Sequence, residues 1–302
     1  MNYLITGGTG LIGRRFIQTL PKDTTQITVL TRNIKNAKKL LGNSINYINA
    51  LSIDDIEKSD IIINLAGEAI AEKRWSDAQK EVICQSRWSI TQQLVDYIKL
   101  AKNPPSDFIS GSAIGIYGRQ NKQPINENHL LFHEEFTHYV CSTWENIALS
   151  AMNSVKSKTR VAILRTGIVL DKNKGALAKM IPPFKFCLGG NMGNGEQIMS
   201  WIHIDDMVNA ILHIQEKKDL QGPINLTAPH PVSNNQFSHA LATALNRPCC
   251  FSTPAWVLKL LLGEMSVLLL FGQNVKPKKL IDSKFSFKYP TIEKALSQLM
   301  TK

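Results

Sequence analysis

The chain has 302 residues, 43% hydrophobic and 20% charged, with a formal net charge of +11. This is the composition of an ordinary globular protein and excludes a disordered or fibrous chain. The basic excess points to anionic partners, namely phosphates, a polyphosphate cofactor or acidic metabolites. The cations lie in small groups at 38–39, 156–160 and 276–279 rather than in a basic arm, so no nucleic-acid partner is expected.

In chain order, short apolar runs at 3–6, 26–31, 60–65, 107–110 and 160–166 read as strands. Longer amphipathic stretches between them read as helices, the clearest at 75–101 with apolar residues at 82, 83, 90, 94, 95 and 98. Strands alternating with helices predict βαβ units and a doubly wound parallel sheet, an α/β Rossmann-type fold. Residues 171–200 carry glycines and prolines with little periodicity and read as irregular. The segment 201–226 resumes a strand–helix–strand pattern that returns to the first domain. The expected division is therefore a dinucleotide-binding domain at 1–170 and a smaller mixed C-terminal lobe at 171–302. The most apolar stretch, 256–272, is interrupted by Lys259, Gly263 and Glu264. It is too short to span a membrane and predicts a buried helix pair.

The first strand is followed at once by GGTGLIG, with Gly7, Gly10 and Gly13 opening a helix. A strand, a G-x-x-G-x-x-G turn and a helix make a dinucleotide-binding turn. The first glycine allows the tight turn, the second lets backbone approach a pyrophosphate, and the third lets helix and strand pack closely. Candidate cofactor contacts there are Gly7, Thr9, Gly10, Leu11, Ile12 and Gly13. The second strand ends in Thr31 and Arg32 where an NAD-binding turn carries an acid. A guanidinium grips a 2′-phosphate that a carboxylate would repel, which selects NADP(H) as cofactor. NLAGE at 64–68 ends another strand, with Leu65, Ala66 and Gly67 slim enough to pass the adenosine half and Glu68 at the crevice mouth.

The ordered motifs GGTGLIG, NLAGE, RW (74–75), SR (86–87), IGIYG (114–118), CSTWE (141–145), LRTGIVL (164–170), SWIHIDD (200–206) and NVKPKKL (274–280) run through almost the whole chain. They resemble the atypical extended short-chain dehydrogenase/reductases described as nucleoside-diphosphate-sugar epimerase-like, with a C-terminal extension. The resemblance implies a Rossmann-type domain, NADP(H), and an oxidoreductase or epimerase-like activity on an unidentified small carbonyl, alcohol or sugar-like substrate. It also places Glu68 on the cofactor; the alternative is a carboxylate favoured by a helix N-terminus. The family's Tyr-x-x-x-Lys pair matches Tyr139 to Thr143, so tyrosine is present and lysine is not. Ser112 fits the family's catalytic hydroxyl, or else satisfies strand-end backbone, and Tyr117 is a reserve acid.

The glycine-rich segment before 203 offers Asn194, Gln197, Trp201 and His203 as substrate contacts, with a packing or hinge role as the alternative for His203. The His and Glu residues between 127 and 138 lack the spacing of a zinc motif, and no metal is expected. Five cysteines without a C-x-x-C pair read as reduced thiols. A strand beginning at residue 3 leaves no room for a leader, so a cytoplasmic location and no membrane partner are expected. Helices at 75–101 and 139–150 suggest a homodimer by analogy with the superfamily. The missing lysine keeps a second reading open, a non-catalytic NADP(H)-binding redox sensor or scaffold.

Overall fold

The computed structural model describes residues 1–153 and 158–301, so part of the 156–160 cationic group lies outside them. The first half runs β1 (Asn2–Thr6), α1 (Leu11–Thr19), β2 (Gln26–Leu30), α2 (Ile34–Leu41), β3 (Asn46–Ile48), α3 (Ile53–Glu57), β4 (Ile61–Asn64), α4 (Asp77–Leu100), β5 (Asp107–Ala113), α5 (Phe136–Leu149) and β6 (Arg160–Thr166). After it come α6 (Gly175–Lys185), α7 (Ile204–Glu216), β7 (Gly222–Leu226), α8 (Asn234–Ala244), α9 (Ala255–Leu262), α10 (Val267–Leu270), α11 (Lys278–Asp282) and α12 (Ile292–Met300).

The seven strands form one parallel sheet in the order β3-β2-β1-β4-β5-β6-β7. It is doubly wound, as expected, and β7 pairs with β6 at its edge. Strands in such a sheet are covered on both faces, which is why β4 is a near-continuous aliphatic run with all four residues buried. Side chains alternate between the two faces along each strand. Tyr3, Ile5, Ile61 and Ile63 pack with Phe16 of α1 and with Met207 and Ile211 of α7. Leu4, Ile62, Phe108 and Val161 pack on the other face with Leu94, Val95 and Ile98 of α4.

Three departures from the sequence-based expectations have physical causes. β5 runs three residues past its predicted end, because Gly111 to Ala113 pair in register with Leu164 to Thr166 of β6. Second, the segment 171–200 contains α6, although Pro182 and Pro183 lie within it. Leu177, Ile181 and Phe184 form its buried stripe against Trp201, Phe237, Leu241 and Leu296, and this packing outweighs poor local propensity. Third, 256–272 is helical but is not a buried pair. Trp256, Leu260 and Leu261 of α9 are 68%, 69% and 63% exposed, and only Leu258 of that helix is buried. A helix apolar on all sides can bury only the face that meets a neighbour. Among the described residues no helix is long and apolar enough to cross a membrane.

Candidate functional site

The loops after β1, β2 and β4 meet at the carboxyl edge of the sheet. Gly7 has φ +68°, and a Cβ there would stand 2.4 Å from the Leu65 carbonyl oxygen. A Cβ on Gly13 would stand 2.5 Å from the Gly7 carbonyl oxygen, so helix and turn touch backbone to backbone. Gly10 is exposed and N-caps α1 with no side-chain cap, and the first turn of α1 carries no acid. The unpartnered N–H groups and positive dipole end of α1 are thus open to an anion. Thr9, Leu11 and Ile12 sit half-buried around that turn.

At the end of β2, Thr31 Oγ1 accepts from the Asn33 N–H at 3.3 Å, which shapes the bend. Arg32 and Lys35 are exposed there, and neither has an ion-pair or hydrogen-bond partner among the described residues. An uncapped helix end beside two unpaired cations, with no carboxylate from 31 to 33, fits a dinucleotide carrying a 2′-phosphate.

The 65–68 loop is held from beneath by two residues that the sequence did not mark as part of a site. Asn64, fully buried, accepts from Thr6 Oγ1 at 2.7 Å and donates to Thr91 Oγ1 at 2.8 Å and Ser110 Oγ at 3.1 Å. Thr6 Oγ1 in turn accepts the Ala66 N–H at 3.2 Å. Arg87 reaches from α4 under Gly67 and donates to the carbonyls of Glu68 at 2.9 Å and Ile83 at 2.8 Å. Burial pulls its guanidinium below the ordinary value. A polar residue ending an aliphatic strand, and an arginine on a helix face otherwise turned inward, were the available signals. Glu68 is half-buried, and its N–H donates to Ser86 Oγ at 2.9 Å.

Beyond this edge lies a cavity of about 440 Å³ between the sheet and the segments 175–200 and 267–273. Leu11, the backbone after β5 and β6, α6 and the segment around α10 form its walls. Thr137 and Cys141 of α5 face it; Tyr139 does not line it. Tyr139 is 57% exposed, with its ring edge-on to Trp88 at 5.3 Å between centroids. Two helical residues turn through about 200°, so 139 and 143 lie away from the face that carries 137 and 141. The buried stripe Thr137, Val140, Cys141, Trp144, Glu145 and Ala148 shows the same register. The i, i+4 pair offered to the cavity is therefore Thr137–Cys141, and Tyr139 and Thr143 are not among its lining residues. Burial, with the Glu145 carboxylate nearby, pushes the Cys141 thiol up to about 12 and disfavours the thiolate. Thr137 Oγ1 donates to Glu135 Oε1 at 3.1 Å, and Glu135 pairs with Arg119 at 2.9 Å.

Ser112 and Tyr117 stand behind the cavity wall. Ser112 Oγ donates to Glu145 Oε1 at 2.7 Å. Arg165 grips the same carboxylate from Nε at 2.9 Å and Nη2 at 2.8 Å, and donates from Nη1 to the Tyr117 oxygen at 3.0 Å. The Tyr117 hydroxyl donates to Asn225 Oδ1 at 2.8 Å, and burial raises its pKa. Burial also opposes the charge on Arg165, but Glu145 more than offsets it and the guanidinium is held above its ordinary value. Both hydroxyls are committed to a buried network joining β5, α5, β6 and β7. That network could not be read from residues so far apart in sequence.

Of the substrate contacts expected from the glycine-rich segment, Gln197 alone lines this cavity. Asn194 is exposed and accepts from the Glu196 N–H, Trp201 is fully buried, and His203 caps α7 and hydrogen-bonds Gln298 at 2.9 Å. The His and Glu residues between 127 and 138 brace loops. Glu127 accepts from the Asn225 and Lys279 N–H groups, and His133 contacts Arg119 at 2.8 Å. No group of three metal-ligating side chains occurs among the described residues.

Residues 3–226 match the model of the NAD-dependent epimerase/dehydratase family. The chain belongs to that family. Residues 253–299 match a domain of unknown function, DUF1731, so this epimerase-family chain carries the C-terminal extension its motifs suggested. Epimerase family protein YfhF of Bacillus subtilis is 35% identical over 304 residues, covering 99% of this chain and 98% of the relative. The chloroplastic epimerase family protein SDR39U1 homolog of Arabidopsis thaliana is 37% identical over 308 residues, covering 99% of this chain and 87% of the relative. The crystal structure of human epimerase family protein SDR39U1 (isoform 2) with NADPH superposes with a TM-score of 0.87 at 27% identity, covering 99% of each chain.

Proposed function

We propose that this epimerase-family chain is an NADP(H)-dependent oxidoreductase acting on a small carbonyl, alcohol or sugar-like substrate. The observation that carries the reading is Arg32, exposed and unpaired beside the uncapped end of α1, with no carboxylate at 31–33. The human relative solved with NADPH supports the same choice. Gly7, Thr9, Gly10, Leu11, Ile12 and Gly13 would hold the pyrophosphate, Thr31 and Arg32 the 2′-phosphate, and Leu65, Ala66, Gly67 and Glu68 the flank of the adenosine half. Bound NADP(H) would donate or accept hydride at a substrate carbon in the cavity. The chain's own task there is to orient the substrate, exclude water and pass a proton. Thr137 Oγ1, backed by Glu135, is the α5 hydroxyl on the cavity and takes the role expected of Ser112, Tyr117 or Tyr139. Titration of the purified protein with NADPH and with NADH, followed by nicotinamide fluorescence, tests the reading. NADPH binding about tenfold tighter, or roughly 1.4 kcal/mol, is expected; equal affinities overturn it.

The pair Thr137–Cys141 favours one other reading, NADP(H) binding without turnover. The pair lacks the cation that the lysine of the Tyr–Lys pair places beside its proton donor in the superfamily. In that case a panel of carbonyl and alcohol substrates gives no NADP(H)-linked hydride transfer. A partner protein would then bind the NADPH-loaded and NADP⁺-loaded forms unequally, and equal binding removes the sensor version.

A further inference from the structure

Several apolar side chains left outside the core lie in two neighbouring segments, 185–192 and 247–261. Parallel pairing of Gly190–Met192 with Phe251–Thr253 joins the two, and Arg247 Nε donates to the Lys185 carbonyl at 3.2 Å. Phe186, Leu188 and Phe251 are 75%, 61% and 55% exposed. α9 follows at once. At about 100° per residue, Trp256, Lys259 and Leu260 share its outer face, with Leu261 beside them. Leu258 is buried, and Leu262 packs against the cluster that holds Trp75 and Met265. The outward side of this short helix is thus as apolar as its inward side, and exposed apolar surface of this kind marks an interaction site.

The same segments carry no negative charge. No Asp or Glu occurs in 172–195 or in 220–263, although the chain has 24. Lys185, Arg247 and Lys259 are exposed there, and none has an ion-pair partner among the described residues. The next acids along the chain are already engaged, Glu196 with Lys122 at 3.2 Å and Glu264 with Lys80. An apolar face edged only by cations calls for an occupant that is both apolar and anionic. A second copy fits poorly, because a two-fold interface sets one patch against itself and would oppose these cations with nothing negative between them. A protein partner gains its affinity from anchors that fill pockets. Here the apolar groups project from a helix and a strand, and none of them lines the cavity. A lipid surface takes up projecting aromatic and leucine side chains at headgroup depth, while lysine keeps its ammonium at the phosphates.

We propose that α9 and the adjoining Phe186 to Leu188 and Phe251 edge rest on an anionic membrane surface. Trp256, Leu260 and Leu261 enter the headgroup layer, and Lys185, Arg247 and Lys259 meet lipid phosphates. The expectation of no membrane partner concerned leaders and spanning helices, and a helix lying in the interface plane needs neither. The contact is independent of the oxidoreductase reading, because none of these residues belongs to the glycine turn or lines the cavity.

The test floats the full chain with vesicles of phosphatidylcholine alone and of equal parts phosphatidylcholine and phosphatidylglycerol. The mixed vesicles should retain it at least about tenfold better than the neutral ones, and less so as salt is raised. Trp256→Ser with Leu260→Ser should cut that retention at least about tenfold. Both side chains are exposed, so thermal melts and NADPH affinity should not change. Lys259→Glu leaves the apolar groups in place and should also weaken retention by the mixed vesicles, again by at least about tenfold. Equal retention by the two vesicles, none by either, or retention that survives these substitutions overturns the proposal. A wild-type dimer in sedimentation equilibrium that Trp256→Ser with Leu260→Ser dissociates would also overturn it and give the face to a second copy. Binding of polyglutamate in place of the mixed vesicles would overturn it in favour of an acidic protein.

Discussion

Replacing Arg32 with alanine isolates the interaction that selects the cofactor. The side chain is exposed and touches no ionic or hydrogen-bonding partner, so its removal should change folding stability by no more than about 0.5 kcal/mol. A hydrogen bond to a charged group is worth about 1.5–3 kcal/mol, and solvent at this open position keeps the value near the low end. NADPH affinity should therefore fall about tenfold while NADH affinity, which involves no 2′-phosphate, stays within about twofold. The gap should narrow as salt is raised, because an exposed ion pair is screened. Arg32→Asp should go further, since a carboxylate repels the phosphate directly. Nicotinamide fluorescence titrations at low and high salt, with thermal melts as a control, measure all of this. Equal losses for both dinucleotides, or an unchanged NADPH affinity, would refute the phosphate-clamp argument.

Other expectations follow from the buried groups. Glu145→Gln leaves the Arg165 guanidinium buried against Tyr117 without its counter-charge and should cost about 3–5 kcal/mol in urea denaturation. The double variant Glu145→Gln with Arg165→Met should be more stable than that single one, and a further additive loss would show that the charge is not the cause. Gly13→Ala forces backbone apart at a 2.5 Å approach and should cost about 1–3 kcal/mol together with NADPH binding; unimpaired NADPH binding would place the phosphates elsewhere. Burial by itself would raise the Asp107 carboxyl, but hydrogen bonds from Lys218 and Arg160 outweigh it and hold the group below its ordinary value. Its contribution to stability is therefore present above the unfolded value near about 3.9 and is lost as pH falls through the lowered one. Asp107→Asn should flatten that acid limb in pH-dependent melts, and an unchanged limb would assign the acid sensitivity to other groups.

What the sequence by itself determined is local in origin. The parallel sheet was legible because doubly covered strands such as β4 must be aliphatic throughout, and the glycine turn because its first glycine needs a positive φ and its third a close approach. Arg32 was legible because it ends a strand, where no distant residue is needed to place it. The features decided only by the tertiary structure depend on partners remote in sequence. Ser112, Tyr117, Glu145, Arg165 and Asn225 form one network only because β5, β6 and β7 lie side by side. Tyr139 fits the family motif by spacing alone, and spacing does not say which face of α5 meets the sheet. The buried stripe from Thr137 to Ala148 held that answer, but only the packed helix showed that its inward face opens on the cavity. In the same way Gln197, Trp201 and His203 were candidates in one glycine-rich segment, His203 with packing as its alternative. Packing of α6 and α8 drew Trp201 into a core, α7 took His203 as its cap, and Gln197 was left in the cavity wall.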